Sequence, residues 1–245
     1  MLIMMALLSV GCAENLETPD LPKLLQRSEK LQDFVPPFWN IEFIRQDDLN
    51  KDGQLGTVMV MKDRDDANFI QHKDCDSCAR IDTSPRILIV LFADGKSWRL
   101  IKQNTTFIPR VTASMDSLGS FNGVVYGEVY AGNGTFAIRI GWFSTELGFN
   151  VYTFRWQDND FYLIGYDVYS RHRMTGEEIT SSYNFLTWCE NIVTVTPVDD
   201  GKSDETTKKL VWKQLNKQPL LKLDQIIEAN IFNYLRKVDN DELNR

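Results

Sequence analysis

From Pro85 to Tyr169 apolar residues come in short runs and alternations, broken at regular intervals by turn residues. That is the pattern of strands joined by tight connections. Arg86 to Phe92 is a continuous apolar run, Ala93-Asp94-Gly95-Lys96 is a turn, and Trp98 to Lys102 returns, so a hairpin is predicted. Val124–Tyr130, Thr135–Trp142, Asn150–Trp156 and Phe161–Tyr169 follow at strand length. The segments around Gly132-Asn133-Gly134, Ser144–Gly148 and Gln157–Asp160 separate them as turns. No strand–helix–strand crossover pattern interrupts the series, which predicts an antiparallel meander.

The flanks extend this picture. Leu21, Leu24, Leu25, Leu31 and Phe34 stand close to helical spacing, and Val35-Pro36-Pro37 stops the segment, so an N-terminal helix is predicted over 21–34. Trp39–Phe43 and Thr57–Met61 are two short strands flanking an acidic turn, and Asp63–Ser84 is a long surface loop. Glu190–Pro197 and Lys209–Trp212 form a closing hairpin around the polar stretch Asp199–Thr207. A last helix is predicted over Asp224–Val238, capped by Asp224, with Ile227, Ile231, Leu235 and Val238 on one face. The fold class expected is α+β: a predominantly antiparallel β-sheet with an N-terminal and a C-terminal helix.

Composition narrows the function. Of 245 residues 43% are hydrophobic and 25% charged, enough for a real core. The net charge of −7 and the lack of a basic, aromatic-interleaved patch argue against nucleic acid as a partner.

Met1–Gly11 is apolar and ends in Leu8-Ser9-Val10-Gly11-Cys12, followed by the polar stretch Ala13–Asp20. An apolar stretch, small residues and then cysteine resemble a bacterial lipoprotein signal, with Cys12 as the lipidated residue. It departs from that pattern in lacking Lys or Arg before the apolar run and in placing Leu8 four residues ahead of the cysteine. Eleven residues are too few to span a bilayer as a helix, which takes ~20. The expected organisation is a signal segment over 1–12, a polar tether over 13–20 and a single β-rich domain over 21–245. In an oxidising envelope compartment Cys75 and Cys78, in a polar Cys-x-x-Cys, are the candidates for a local disulfide.

Asp48-Leu49-Asn50-Lys51-Asp52-Gly53 carries the sharpest chemistry. Asp48, Asn50 and Asp52 occupy positions 1, 3 and 5 of an oxygen-rich turn and Gly53 position 6, the arrangement by which a short peptide wraps Ca²⁺. Position 9 is Gly56 and position 12 is Met59, where an EF-hand would supply acids. Bound calcium would therefore be weak, and the same letters also suit a plain hairpin turn. Catalytic motifs are missing: there is no Gly-x-Ser-x-Gly and no His-Glu-x-x-His, and His72 and His172 are the only histidines. A Cys189–His172 pair and the adjacent Glu177 and Glu178 are the residual catalytic candidates.

The ordered series Val35-Pro-Pro-Phe-Trp39, Asp48–Gly53, Ser84–Leu91, Tyr152–Gly165, Thr175-Gly176, Tyr183–Thr187 and Pro219–Leu223 resembles a group of uncharacterised bacterial envelope lipoproteins. Their acidic turn is similar to those of FG-GAP and VCBS-type repeats. The resemblance covers residues 33 to 223 and implies a secreted or lipid-anchored β-rich protein with no established reaction. Only Asp48, Asn50 and Asp52 carry over as cation ligands. The function expected is a non-catalytic binding or structural module of the envelope, membrane-anchored through Cys12 and stabilised by Ca²⁺. The alternatives are an inhibitor or immunity-type partner of a secreted enzyme or toxin, and, third, an envelope hydrolase.

Overall fold

The computed structural model describes residues 21–71, 80–110, 114–115, 121–143, 146–198 and 205–239. In chain order the strands are β1 (Arg27–Ser28), β2 (Trp39–Asp47), β3 (Gly56–Asp63), β4 (Phe69–Ile70), β5 (Ile81–Asp82), β6 (Arg86–Asp94), β7 (Ser97–Asn104) and β8 (Ser114–Met115). They continue as β9 (Phe121–Gly132), β10 (Thr135–Phe143), β11 (Glu146–Gln157), β12 (Asp160–His172), β13 (Glu178–Asn184), β14 (Cys189–Pro197) and β15 (Thr206–Gln214). One α-helix, α1 (Glu228–Asp239), follows. A five-stranded sheet has the order β1-β7-β6-β3-β2, an eight-stranded meander runs from β8 to β15, and β4 and β5 form a small ribbon. All recorded pairings in the two large sheets are antiparallel.

Side chains of a strand alternate between its two faces. Val58 and Val60 of β3 and Leu88, Val90 and Phe92 of β6 enter the core shared with the eight-stranded sheet. Their neighbours Met59, Met61, Ile87, Ile89 and Leu91 point the other way into a second core. Antiparallel strands usually keep one polar face. Here both faces are buried, which is why β3 and β6 are apolar at almost every position. Each such side chain contributes about 1.5–3 kcal/mol by leaving water.

The cover over the second core corrects the expected N-terminal helix. Leu24 and Phe34 are buried against the five-stranded sheet, with Leu21, Leu31 and Val35 packed around them. Yet among the described residues this segment is no helix: β1 pairs along the edge of β7, and only Leu31–Phe34 turns, as a single 3-10 turn. The Leu100 amide donates to the Gln26 carbonyl at 2.9 Å, and the Ser28 hydroxyl donates to Asp33 Oδ2 at 2.5 Å. Helical spacing in the sequence marked anchor points of an extended strap. Leu25, which a helix would have used, is 50% exposed. Among the described residues the fold is thus predominantly antiparallel β with one short helix, not the expected α+β arrangement with two.

That one helix sits where expected but starts later. Asp224 does not cap it; Leu223–Gln225 is a separate 3-10 turn in which Asp224 pairs with Lys102 at 3.2 Å. The helix proper buries Ile231, Tyr234 and Val238. β13 was not expected at all, since Glu-Ile-Thr-Ser-Ser-Tyr-Asn has few apolar residues. Its backbone is satisfied on both sides by β12 and β14, so tertiary pairing makes the strand.

The shared core is largely aromatic. Edge-on and tilted ring contacts run from Phe92 to Phe161 at 5.9 Å, on through Phe136, Phe154 and Phe107, and then to Tyr152 at 4.9 Å from Phe107. They continue through Tyr166, Tyr183 and Phe185 to Tyr234 of α1. A polar link fastens the two sheets at one end. Lys102 of β7 reaches Asp160 of β12 at 2.7 Å, and Lys222 approaches the same carboxylate at 3.1 Å. Burial would raise the Asp160 pKa, but hydrogen bonds from the two lysines and the Phe161 amide outweigh it and hold the carboxyl below its ordinary value. Its stabilising contribution is therefore full above the ordinary carboxylate range and fades as pH falls through that lowered value.

Candidate functional site

Register places Ile140, Asn150 and Val168 side by side across β10, β11 and β12, and Ile138, Tyr152, Tyr166 and Tyr183 in the next row of the same face. Where the first of these rows meets α1, packing is incomplete. A cavity of about 280 Å³ remains, lined on the sheet side by Ile140, Trp142, Asn150, Tyr152, Tyr166 and Val168. Phe232 and Leu235 close it from α1, Ile226 from the segment just before the helix, and Phe107 and Pro109 from the connection after β7.

The walls are positioned by ordinary local chemistry. Asn104, itself buried, accepts from the amides of Thr106 and Phe107 at 2.9 and 2.7 Å and donates to the Leu223 carbonyl at 2.7 Å. One side chain thereby places both the Phe107 wall and the approach to α1. The indole of Trp142 lies over Gly148; a Cβ there would collide with that ring and with the Tyr169 carbonyl oxygen. α1 is held at its far end, where the Asn216 amide donates to the Val238 carbonyl at 2.9 Å and Phe185 meets Tyr234 edge to face at 5.4 Å. Burial pushes the Tyr234 phenol up to about 12, so it is neutral at any physiological pH. Phe232, on the outer side of the same helix, is 54% exposed at the rim.

Asn150 is the informative wall residue. Its neighbours on this face of β11 are Tyr152 and Phe154, both buried. Trp142 Nε1 donates to Asn150 Oδ1 at 3.4 Å, which leaves the amide NH₂ as the donor Asn150 has to offer. An apolar, aromatic-walled cavity with one such polar group is the usual make-up of a small-molecule site. In the sequence Trp142 and Tyr152 stand only as members of the expected strands Thr135–Trp142 and Asn150–Trp156. The missed signal was Asn150, a polar residue at an inward position of an otherwise apolar strand face.

The acidic turn has a different character. Asp48 accepts the amides of Asp52 and Gly53 on its two oxygens at 3.0 and 2.9 Å. Asp52 accepts the Gln54 amide at 2.8 Å and the Asn50 side-chain amide at 2.7 Å. Each of the four carboxylate oxygens accepts one N–H, the Asn50 side-chain amide among the donors. Gly56, where an acid would complete a cation turn, is buried; a Cβ there would lie 3.1 Å from Leu49 Cδ1 and 3.2 Å from Phe92 Cδ1. Met59 is buried in the second core. Among the described residues no group of three or more His, Cys, Asp or Glu is placed to hold a metal. What the turn does is mechanical: Leu49, 1% exposed, plugs the shared core, and the Gly134 amide of the β9–β10 hairpin donates to Asp47 at 2.7 Å.

Other sequence candidates are kept apart. Cys189 carries a free thiol on the row Gly165–Asn184–Cys189, whereas His172 lies seven residues further along β12. At the usual strand rise that separates them by about 23 Å. The His172 ring accepts the Thr175 amide in a tight turn. Glu178 pairs with Arg171 at 3.6 Å and Glu177 accepts from the Thr196 hydroxyl at 3.3 Å, so neither faces a cleft partner. Cys12, Cys75 and Cys78 lie outside the described residues. No described helix is long and apolar enough to cross a membrane.

No protein-family model matches the chain, and no curated protein or solved structure is significantly similar to it.

Replacing Asp48 by Ala removes both acceptors of the turn and lowers stability by about 1–2 kcal/mol, or about 2–8 °C in Tm. Calorimetric melting is expected to give the same loss in millimolar calcium and in chelator. A loss confined to calcium would show that an ion holds the turn.

Proposed function

We propose that this protein is an exported, non-catalytic binding module that takes a small apolar ligand into the cavity between the β10–β12 face and α1. The observation that carries this reading is the cavity itself: an unfilled, aromatic-walled space of about 280 Å³ between the β10–β12 face and α1, with Phe232 exposed at its rim. Mostly apolar concavities with a few polar groups are where small ligands usually bind. The available Asn150 donor favours a ligand with one hydrogen-bond acceptor on a ring or short chain. Tethering through Cys12 at the envelope, facing the periplasm or the exterior, is part of the same proposal and rests on the lipoprotein-like start of the chain.

Two measurements check it. A neutral fluorescent apolar probe, N-phenyl-1-naphthylamine, is expected to bind saturably with one site per chain. Val168→Trp or Ile140→Phe, which fill the cavity, should abolish that binding while circular dichroism shows a cooperative melt. Absence of saturable binding, or binding unchanged in folded versions of both variants, contradicts the cavity reading. For the tether, Cys12→Ser is expected to move the protein from the membrane fraction to the soluble fraction and to remove an acyl mass seen in the wild type. Unchanged partitioning in a wild type without acyl mass contradicts it.

A further inference from the structure

β15 is an edge of the eight-stranded sheet, paired on one side only, with β14, in unbroken register from Cys189↔Gln214 to Pro197↔Thr206. It therefore presents a nine-residue row of backbone groups on its open side, without the bulge that commonly blunts such an edge. Its side chains are as open as its backbone: every residue is exposed except Val211, which is half-buried. Leu210 is 54% and Trp212 65% exposed, on one face together with Lys208. Lys209 and Lys213 stand on the opposite face, Lys213 at 3.4 Å from the buried Glu190. The strand carries three lysines and no acid, in a chain whose net charge is −7.

Two occupants of the open edge can be weighed by charge. A second copy of this chain would lay one lysine strand against another, with like charges adjacent, which is destabilising. An extended acidic segment would place carboxylates opposite Lys209 and Lys213 on one face and apolar side chains against the Leu210–Trp212 pair on the other, with backbone hydrogen bonds supplying register. We infer that β15 is a docking edge for an extended, acidic segment of another protein, added as a ninth strand. This does not depend on the cavity, which lies on the sheet's inner face beside α1.

The test uses the full chain and a fluorescein-labelled peptide of alternating Glu and Val, with a Lys–Val peptide of equal length as control, read by fluorescence anisotropy. The acidic peptide is expected to bind at least about tenfold more tightly than the basic one, weakening as salt rises. Lys209→Glu with Lys213→Glu should reverse the preference, and Trp212→Ala should weaken binding several-fold, while Val168→Trp should leave it unchanged. Equal binding of the two peptides, or binding indifferent to the β15 substitutions, overturns the inference. So does capture by phosphatidylglycerol vesicles without peptide binding, which would make the edge a lipid-facing surface. A dimer in sedimentation that Trp212→Ala dissolves overturns it as well, in favour of self-association.

Discussion

Everything in this structure depends on burying β3 and β6 on both faces. A sheet with two apolar faces needs two covers, and the chain builds them from unlike materials. The inner cover is the aromatic face of the eight-stranded meander; the outer one is a strap of residues before β2 that borrows the free edge of β7 and drops Leu24 and Phe34 into the second core. Leu49, at the tip of the acidic turn between β2 and β3, then closes the shared core from the side. Gly56 is glycine because Leu49 and Phe92 occupy the space its side chain would fill. The residue that stands where a cation turn would carry an acid thus takes part in a packing joint.

The cavity follows from the mismatch between the two sheets. The eight-stranded meander presents more inner surface than the five-stranded sheet can cover, and α1 takes over the remainder. A cylinder of helix laid on a twisted sheet touches it firmly at Ile231, Tyr234 and Val238. It leaves space where Ile226 and Leu235 face Ile140 and Val168. Three of the rings that line that space, Phe107, Tyr152 and Tyr166, belong to the core's continuous ring chain, so a ligand there would contact the same scaffold that joins the sheets. β15 lies at the opposite extreme of the meander, with little cover on either face and a basic edge, which suits partner docking and does nothing for the core.

Much of the β framework was legible because strand length and turn chemistry are local. The hairpins at Gly95 and at Asn133-Gly134 declare themselves, and β10 to β12 alternate clearly. What was not legible depends on partners far away in sequence. Leu21 to Phe34 has helical spacing, yet the waiting edge of β7 and the apolar outer face of the sheet select an extended strap. β13 is polar enough to pass for a loop and becomes a strand only because both neighbours offer backbone. The acidic turn shows the same limit at the level of a site: its spacing alone cannot reveal which nearby N–H groups Asp48 and Asp52 accept. Asn150 was readable in principle, as a polar residue on an inward-facing position.

The two-faced burial of the five-stranded sheet is most directly tested by denaturant unfolding of Phe34→Ala beside Leu25→Ala. With a strap sealing the second core, Phe34→Ala loses about 3–5 kcal/mol, whereas Leu25→Ala, half exposed, stays within about 0.5 kcal/mol of the wild type. Equal and small losses in both would mean that the outer face of β3 and β6 is not sealed by this segment, and the account of the fold would fail at its foundation.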